Sequence, residues 1–434
     1  MYYLFMNEII WKNRWPADQI KSILIEQFDT FWSTEIGIQR ECLDQIEQTA
    51  NSPFAIIISG LRRVGKSTLL AQIAHRLGKE AFYYINFEDD RFIGFQAEDT
   101  NDLFEILLEL FGERKIFLLD EIQNVPGWEH FVRRFTDNGY KFYITGSNAS
   151  LLSQELGTRL TGRYIPIELF PLSFKEYLLF KNISIPDFSR MKTMDRVNLN
   201  LSLNDYLESG GIPLELKFPK LHFLETLYND VIFRDIVSRY QIEAVSSLRE
   251  LSLFLMSNPA SLISFNKLKE NHHIKSINSV KTYISYLENS WLIFTLNVYD
   301  YSIKRQQIAP KKVYCIDNGL AKTVGFHFSP NTGKLLENLV FLQLRRSSKQ
   351  IFYLNLPSGE EVDFYLPQQR MLVQVSQQID HEETRQREIR ALSKAMDTFP
   401  VEKCLLLTDR NNDPFKIGNT PVEIRSTAEW LLEP

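Results

Sequence analysis

The chain has 434 residues, a net charge of −5, 44% hydrophobic and 24% charged residues, and 17 prolines. At ~150 residues per domain that is about three domains of ordinary globular composition, which excludes long disordered, low-complexity or repeat architectures. The acidic balance excludes a uniformly basic nucleic-acid coat, although Lys304-Arg305 with Lys311-Lys312 form a local patch that could engage phosphates.

The opening stretch, "MYYLFMNEIIWKNRW", carries Glu8 and lacks both a basic leader and a small-residue cleavage site; residues 1–35 read as an N-terminal extension. No uncharged run approaches the ~18 residues of a membrane span, so no membrane partner is expected. Cys42, Cys315 and Cys404 are odd in number, far apart and form no metal-ligand pair, which points to a reduced, cytoplasmic protein.

Residues 54–59 are an apolar run of strand length. Gly60 to Ser67 then fit G-x-x-x-x-G-K-[ST], and Leu69, Leu70, Ile73 and Leu77 follow at helical spacing, with Gly78 as a stop. Glycines let backbone N–H groups close around phosphates at a helix N-terminus, a lysine adds a point charge, and a hydroxyl can ligate Mg²⁺. Gly60, Arg63, Gly65, Lys66, Ser67 and Thr68 are therefore candidate nucleotide-binding residues, with ATP and Mg²⁺ as the implied ligands.

"AFYYINFEDD" at 81–90 reads as a second strand. A third, "KIFLLDEIQNVPGW", ends in Asp120-Glu121: Asp120 is a candidate Mg²⁺ ligand beside Ser67, and Glu121 a candidate to polarise the attacking water. Alone, two acids after an apolar strand are as often a helix start; after a phosphate loop the functional reading prevails. Trp128, Phe131, Val132 and Phe135 mark a helix packed on the sheet. "KFYITGSNASLL" gives a fourth strand ending at Thr145, where Ser147 or Asn148 could sense the γ-phosphate or simply form a turn and N-cap. Farther on, Arg159 and Arg163 are candidates to neutralise γ-phosphate charge in the same or a neighbouring subunit, or are solvated surface residues.

With "SGLRRVGKSTLL", "FLLDEIQNV", "YITGSNASLL", "LTGRY" and "FPLSFKEYL" in this order, residues from roughly 36 to 180 resemble a large prokaryotic family of AAA+-like ATP-binding proteins. Its members usually carry a C-terminal domain of unknown function, and the resemblance continues through "YLESGGIPL" at 206–214 and "LENLVFLQLRR" at 336–346. The resemblance implies an AAA+-like P-loop domain over 36–185.

Residues 186–310 read as helical, and from Leu248 as helix, short helix, turn, helix and strand, similar in order to a winged helix. Its third helix would turn Lys275, Asn278, Lys281, Thr282 and Ser285 outward, towards DNA or equally towards a protein partner. His272-His273 lacks a third ligand at metal-binding spacing. Residues 311–434 offer a helix with Glu337 near its start, then three β segments with Asp363 on the second. That order is similar to PD-(D/E)xK nucleases, whose helix glutamate, strand aspartate and acid-x-lysine pair bind Mg²⁺ and activate water. Here Gln374 and Ser376 stand where the second acid and the lysine belong, so cleavage is not expected. Glu360 or Glu361 is a partial substitute, and Asp363 alternatively a satisfied strand acid.

The expected fold is α/β: a P-loop parallel-sheet ATPase domain, a helical, winged-helix-like middle and a C-terminal, restriction-endonuclease-like α/β domain. The expected function is a Mg²⁺-dependent ATPase coupling nucleotide state to a macromolecular partner, DNA or protein, with a homo-oligomer allowed. The alternatives are an ATP-dependent binding switch without turnover and an ATP-regulated nuclease.

Overall fold

The computed structural model describes residues 16–149, 160, 162–325, 332–377, 382–410, 412–418 and 420–433. It divides into two compact units: residues 1–61 with 65–169, and residues 62–64 with 170–434.

The first unit is built on five parallel strands in the order β2-β3-β4-β1-β5, where β1 is Ala55–Ser59, β2 Phe82–Asn86, β3 Ile116–Asp120, β4 Lys141–Gly146 and β5 Tyr164–Glu168. β1 is buried along its whole length, as an unbroken AIIIS run flanked on both sides must be. The helix Trp128–Asp137 buries the aromatic stripe its spacing predicts, and Phe131 and Phe135 meet Phe117 of β3 edge-on at 5.7 and 5.8 Å. One element goes unread in the sequence although Ile20, Ile23, Leu24, Phe28 and Phe31 recur at helical spacing. Ala17–Trp32, within the stretch read as an extension, is a helix that covers the edge strand β2, burying Ile20, Ile23, Leu24 and Phe28 and stacking Phe31 on Tyr84 at 3.7 Å.

The second unit starts helical. Val245–Ser257, Phe265–Asn271 and Ile277–Asn289 are helices, and a small antiparallel sheet orders β6 (Ser261–Ile263), β8 (Lys311–Cys315) and β7 (Ile293–Leu296) as β6-β8-β7. Val280, Ile284 and Leu287 face inward, while Lys275, Asn278, Lys281, Thr282 and Ser285 are exposed. The remaining strands are β9 (Phe352–Asn355), β10 (Glu361–Leu366), β11 (Met371–Val375), β12 (Lys403–Thr408), β13 (Asn412–Ile417) and β14 (Thr420–Ser426), in the order β13-β14-β12-β11-β10-β9. β9, β10 and β11 run antiparallel, whereas β11, β12 and β14 are parallel, joined in the first case by the helix Glu382–Thr398. No helix of the described residues is long and apolar enough to cross a membrane.

The "ESGGIP" stretch acquires its physical reason here. Gly211 donates its N–H to Asp317 at 2.6 Å and accepts from the Leu172 amide at 2.8 Å. A Cβ on Gly211 would lie 2.4 Å from the Leu172 carbonyl oxygen, closer than any side chain can approach backbone. Gly211→Ala should therefore force a backbone shift and cost about 1–3 kcal/mol, read as a lower denaturation midpoint of the second unit with no change in far-UV helix content.

Candidate functional site

The parallel sheet of the first unit sends the ends of β1, β3 and β4 to one edge, where ligands bind in open α/β sheets. β1 leads into Gly60–Ser67, and the chain turns through Arg63 (φ 63°) and Gly65 (φ 100°) before the helix Lys66–Leu77 begins. That helix has no side-chain cap, so its first N–H groups face the loop interior. Lys66 is buried, with Nζ 3.3 Å from the Gly60 and Leu61 carbonyl oxygens and 3.3 Å from Glu121 Oε1. Ser67 is exposed, Thr68 half-buried and Arg63 exposed.

β3 ends in Asp120, only 2% exposed. Burial, then the neighbouring Glu121 charge, pushes its carboxyl above the ordinary range; the Ser67 and Thr145 hydroxyls and Lys66 act in the opposite direction. Thr145, at the end of β4, ties the two acids together: its hydroxyl donates to Asp120 and accepts from the Glu121 N–H at 3.1 Å. Tyr84 on β2 also donates to Asp120, at 3.4 Å. Glu121 has φ 52°, unusual for a residue with a side chain, and the surroundings fix it there. Its Oε2 accepts from the Ser147 amide at 3.2 Å and from the Gln123 side chain. Gln123 Oε1, by contrast, is buried with no hydrogen-bond partner among the described residues.

The structure thus brings Gly60, Gly65, Lys66, Ser67, Asp120 and Glu121 together, with Ser147 and Asn148 buried at the same sheet edge. Asn148 takes part through its carbonyl, which accepts from Ser59 Oγ at 2.8 Å. Arg163 needs correction as a candidate in its own chain's site. Its carbonyl accepts from Ala55 N at the start of β1, and its guanidinium pairs with Asp137 at 2.8 Å. It therefore sits at the opposite end of the sheet, roughly 16 Å from the phosphate loop at ~3.3 Å per strand residue. Arg159 lies outside the described residues. Three participants escaped sequence reasoning. Thr145 and Gln123 gave no signal beyond their place in the motifs, and Arg40, buried, stands 3.5 Å from where a Cβ on Gly65 would be, its segment pinned by Gln72 bonds to the Ile36 and Ile38 carbonyls.

Next to Ser67 and Asp120 opens a cavity of about 310 Å³, lined also by Gln27, Tyr84, Asn86 and Arg91. Asp89, on its wall, is held far below the ordinary carboxylate range by Arg91 and Gln27 hydrogen bonds. The donor set fits a nucleoside triphosphate with Mg²⁺: free helix N–H groups and a lysine for phosphate, and a hydroxyl beside a carboxylate for a hard cation.

In the second unit, Glu337 and Asp363 are brought together as the nuclease-like order implies. Gln374 accepts the Asp363 N–H at 3.1 Å and donates to Glu388 at 2.8 Å, while Ser376, past the end of β11, donates its amide to Leu407. Of the two substitute acids, Glu361 reaches this cluster and Glu360 pairs with Lys394 instead. Lys312 is corrected too: it is buried within the cluster, so it cannot belong to a surface phosphate patch. No group of three or more His, Cys, Asp or Glu side chains suited to a metal ion occurs among the described residues.

Family models agree on the class of protein. One described as an AAA domain matches residues 52–178, and one described as a domain of unknown function (DUF8612) matches residues 201–330. The protein is a P-loop, AAA-domain protein of mixed α/β fold with a C-terminal domain of unknown function. It belongs to the family that contains the uncharacterized protein MJ1544 of Methanocaldococcus jannaschii, with which it is 35% identical over 370 residues, 82% of each chain. An uncharacterized protein of Haemophilus influenzae is 30% identical over 407 residues, 90% of this chain and 97% of that one. Among solved structures, the Aeropyrum pernix ORC1 protein in complex with DNA aligns over 68% of this chain and 95% of that one, at 14% identity and a TM-score of 0.31.

Thr145→Val keeps the volume but removes the hydroxyl that joins Asp120 to the Glu121 amide. It should raise the Mg²⁺ concentration needed for half-maximal ATP binding by about tenfold, in line with ~1.4 kcal/mol for a lost buried hydrogen bond, as measured by Mg²⁺ titration in calorimetry.

Proposed function

We propose that this protein is a Mg²⁺-dependent ATPase whose nucleotide state alters how its second unit engages a macromolecular partner. The observation that carries the reading is the convergence of Lys66, Ser67, Asp120 and Glu121 at the ends of adjoining elements, with Thr145 and Ser147 fixing the two acids. MgATP, when bound, supplies the electrophilic γ-phosphorus and a charge that favours its displacement. The chain's own groups do the rest. The loop amides and Lys66 would hold the phosphates, Ser67 and Asp120 would hold the cation, and Glu121 would accept a proton from attacking water held beside the Gln123 side chain as the bond from the γ-phosphorus to the departing ADP oxygen breaks.

The phosphates compete with Glu121 for Lys66, because both are anionic and the ammonium is a single point charge. Drawing Lys66 towards phosphate releases one of the donors on Glu121 and raises the basicity of its carboxylate. The binding-switch reading has the same residues in its favour: a carboxylate already shared among Lys66, Gln123 and the Ser147 amide is a weakened base. Glu121→Gln separates the two. The ATPase reading expects at least a hundredfold loss of steady-state turnover with ATP affinity retained within a few-fold. Wild-type protein that binds MgATP but shows no turnover would leave only the switch.

DNA is the partner we favour for the helix Ile277–Asn289, whose exposed face carries Asn278, Lys281, Thr282 and Ser285, with Lys275 exposed just before its N-cap Ser276. Two cations release few counterions, so the expected dependence of log affinity on log salt is shallow, about −2 at ~0.9 per phosphate. Double-stranded DNA binding should weaken with that slope, and Lys275→Glu with Lys281→Glu should abolish it, as measured by fluorescence anisotropy across salt concentrations. No salt-sensitive binding would transfer the same face to a protein partner.

A further inference from the structure

The nuclease-like order of the second unit implies a divalent cation between Glu337, Asp363 and the residue at 374, and the residues present do not fit one. Gln374 offers a neutral amide whose oxygen accepts the Asp363 N–H and whose nitrogen donates to Glu388. More decisively, the point on which the acids converge is already filled. Lys312 Nζ lies 2.8 Å from Glu337 Oε1, 2.7 Å from Glu361 Oε1 and 3.1 Å from Asp363 Oδ1. An ammonium has three N–H donors, and three acidic side chains take them; burial, then the Asp363 charge, pushes the Glu337 carboxyl up to about 8, against the pull of Lys312.

The placement is built, not incidental. Lys312 is on the central strand of β6-β8-β7, its side chain 2% exposed. Every acid is fixed by a further contact or by its strand. Glu337 Oε1 also accepts from the Tyr314 hydroxyl at 2.8 Å, and Asp363 Oδ2 accepts the Val375 amide at 3.0 Å. Glu361 opens β10 in register with Asn355 of β9. Mg²⁺ needs oxygen ligands at about 2.0–2.1 Å on nearly octahedral directions, and it cannot share this point with an ammonium.

We propose that the Lys312 ammonium is a built-in replacement for the divalent cation: a positive charge supplied by the chain that Glu337, Glu361 and Asp363 share and that makes this nuclease-shaped domain independent of metal. Burial alone would drive off the proton, but the acidic groups of Asp363, Glu337 and Glu361 around it outweigh burial and raise the lysine's affinity for its proton. The domain keeps the cation-dependent geometry of its acids and gives up the open coordination sites that hydrolysis requires. It follows that removing the ammonium leaves three acids converging on an unfilled point, which a divalent cation should then take up. This inference concerns the second unit alone and stands or falls separately from the ATPase reading.

The test uses full-length protein without nucleotide, in a Lys66→Ala, Asp120→Asn background that disables the first unit's cation ligands. In that parent chain, Mn²⁺ should leave the thermal transition of the second unit unmoved, and Tb³⁺ should show no tyrosine-sensitised emission dependent on Asp363. Adding Lys312→Ala should lower the transition, and saturating Mn²⁺ should then restore it by about 5 °C or more. Tb³⁺ emission sensitised through Tyr314 should appear and be lost again on Asp363→Asn. The proposal is overturned if Lys312→Ala binds neither ion, or if the parent chain already responds to Mn²⁺ through Asp363. A variant that removes the lysine together with two of its three acids, Lys312→Met with Glu337→Gln and Asp363→Asn, covers failure to fold: if it folds while Lys312→Ala stays unfolded even with Mn²⁺, the lysine only balances charge and the proposal falls. If no Lys312 variant folds, the parent's response to Mn²⁺ decides alone, a null response supporting the proposal and an Asp363-dependent one overturning it.

Discussion

Burying an unpaired charge costs several kcal/mol, and both units are organised around meeting that cost. In the first, Asp120 and Glu121 are adjacent acids at the buried end of a strand. Neither could remain there without Lys66, Thr145, the Ser147 amide and the Ser67 hydroxyl on the neighbouring elements. In the second, Glu337, Glu361 and Asp363 surround the Lys312 ammonium. Each strand end or helix start that delivers one member of these sets is held in register by the demand of the others.

The two solutions differ in what they leave open. Around Lys66 the hydrogen-bonding capacity is not exhausted: helix N–H groups are uncapped, Ser67 is exposed, and Gln123 Oε1 has no partner among the described residues. Such a site has capacity for an anion and a cation. Around Lys312 the account closes, since each ammonium donor has its carboxylate and Gln374 is spent between Asp363 and Glu388. The same chemistry of buried opposite charge gives a place for a ligand in one unit and a self-contained cluster in the other.

Much of the first site was legible in sequence because its chemistry is local. A glycine loop between strand and helix needs particular residues at fixed spacing, so Gly60 to Ser67 can be read without a structure, and Asp120-Glu121 is read from an apolar strand that ends in acids. Arg163 was misleading since "LTGRY" gives a cation and no indication of which sheet end carries it; pairing of β5 with β1 decides that. The helix Ala17–Trp32 was legible in its apolar spacing, but that it covers β2 follows only from β2 being an edge strand.

The sequence by itself determined the phosphate loop, the acids at the end of β3, the core stripe of Trp128–Asp137 and the uncharged side chains of Gln374 and Ser376 beside Asp363, because each depends on neighbours within about a dozen residues. Only the tertiary structure decided that Thr145 joins the two acids of the first site, that Gly211 has no room for a side chain, and that the cation of the nuclease-like cluster comes from Lys312. Those contacts close between residues 24 to 51 positions apart in the first and third cases and 39 in the second. Strand order and pairing, not spacing along the chain, set which side chains meet across such distances.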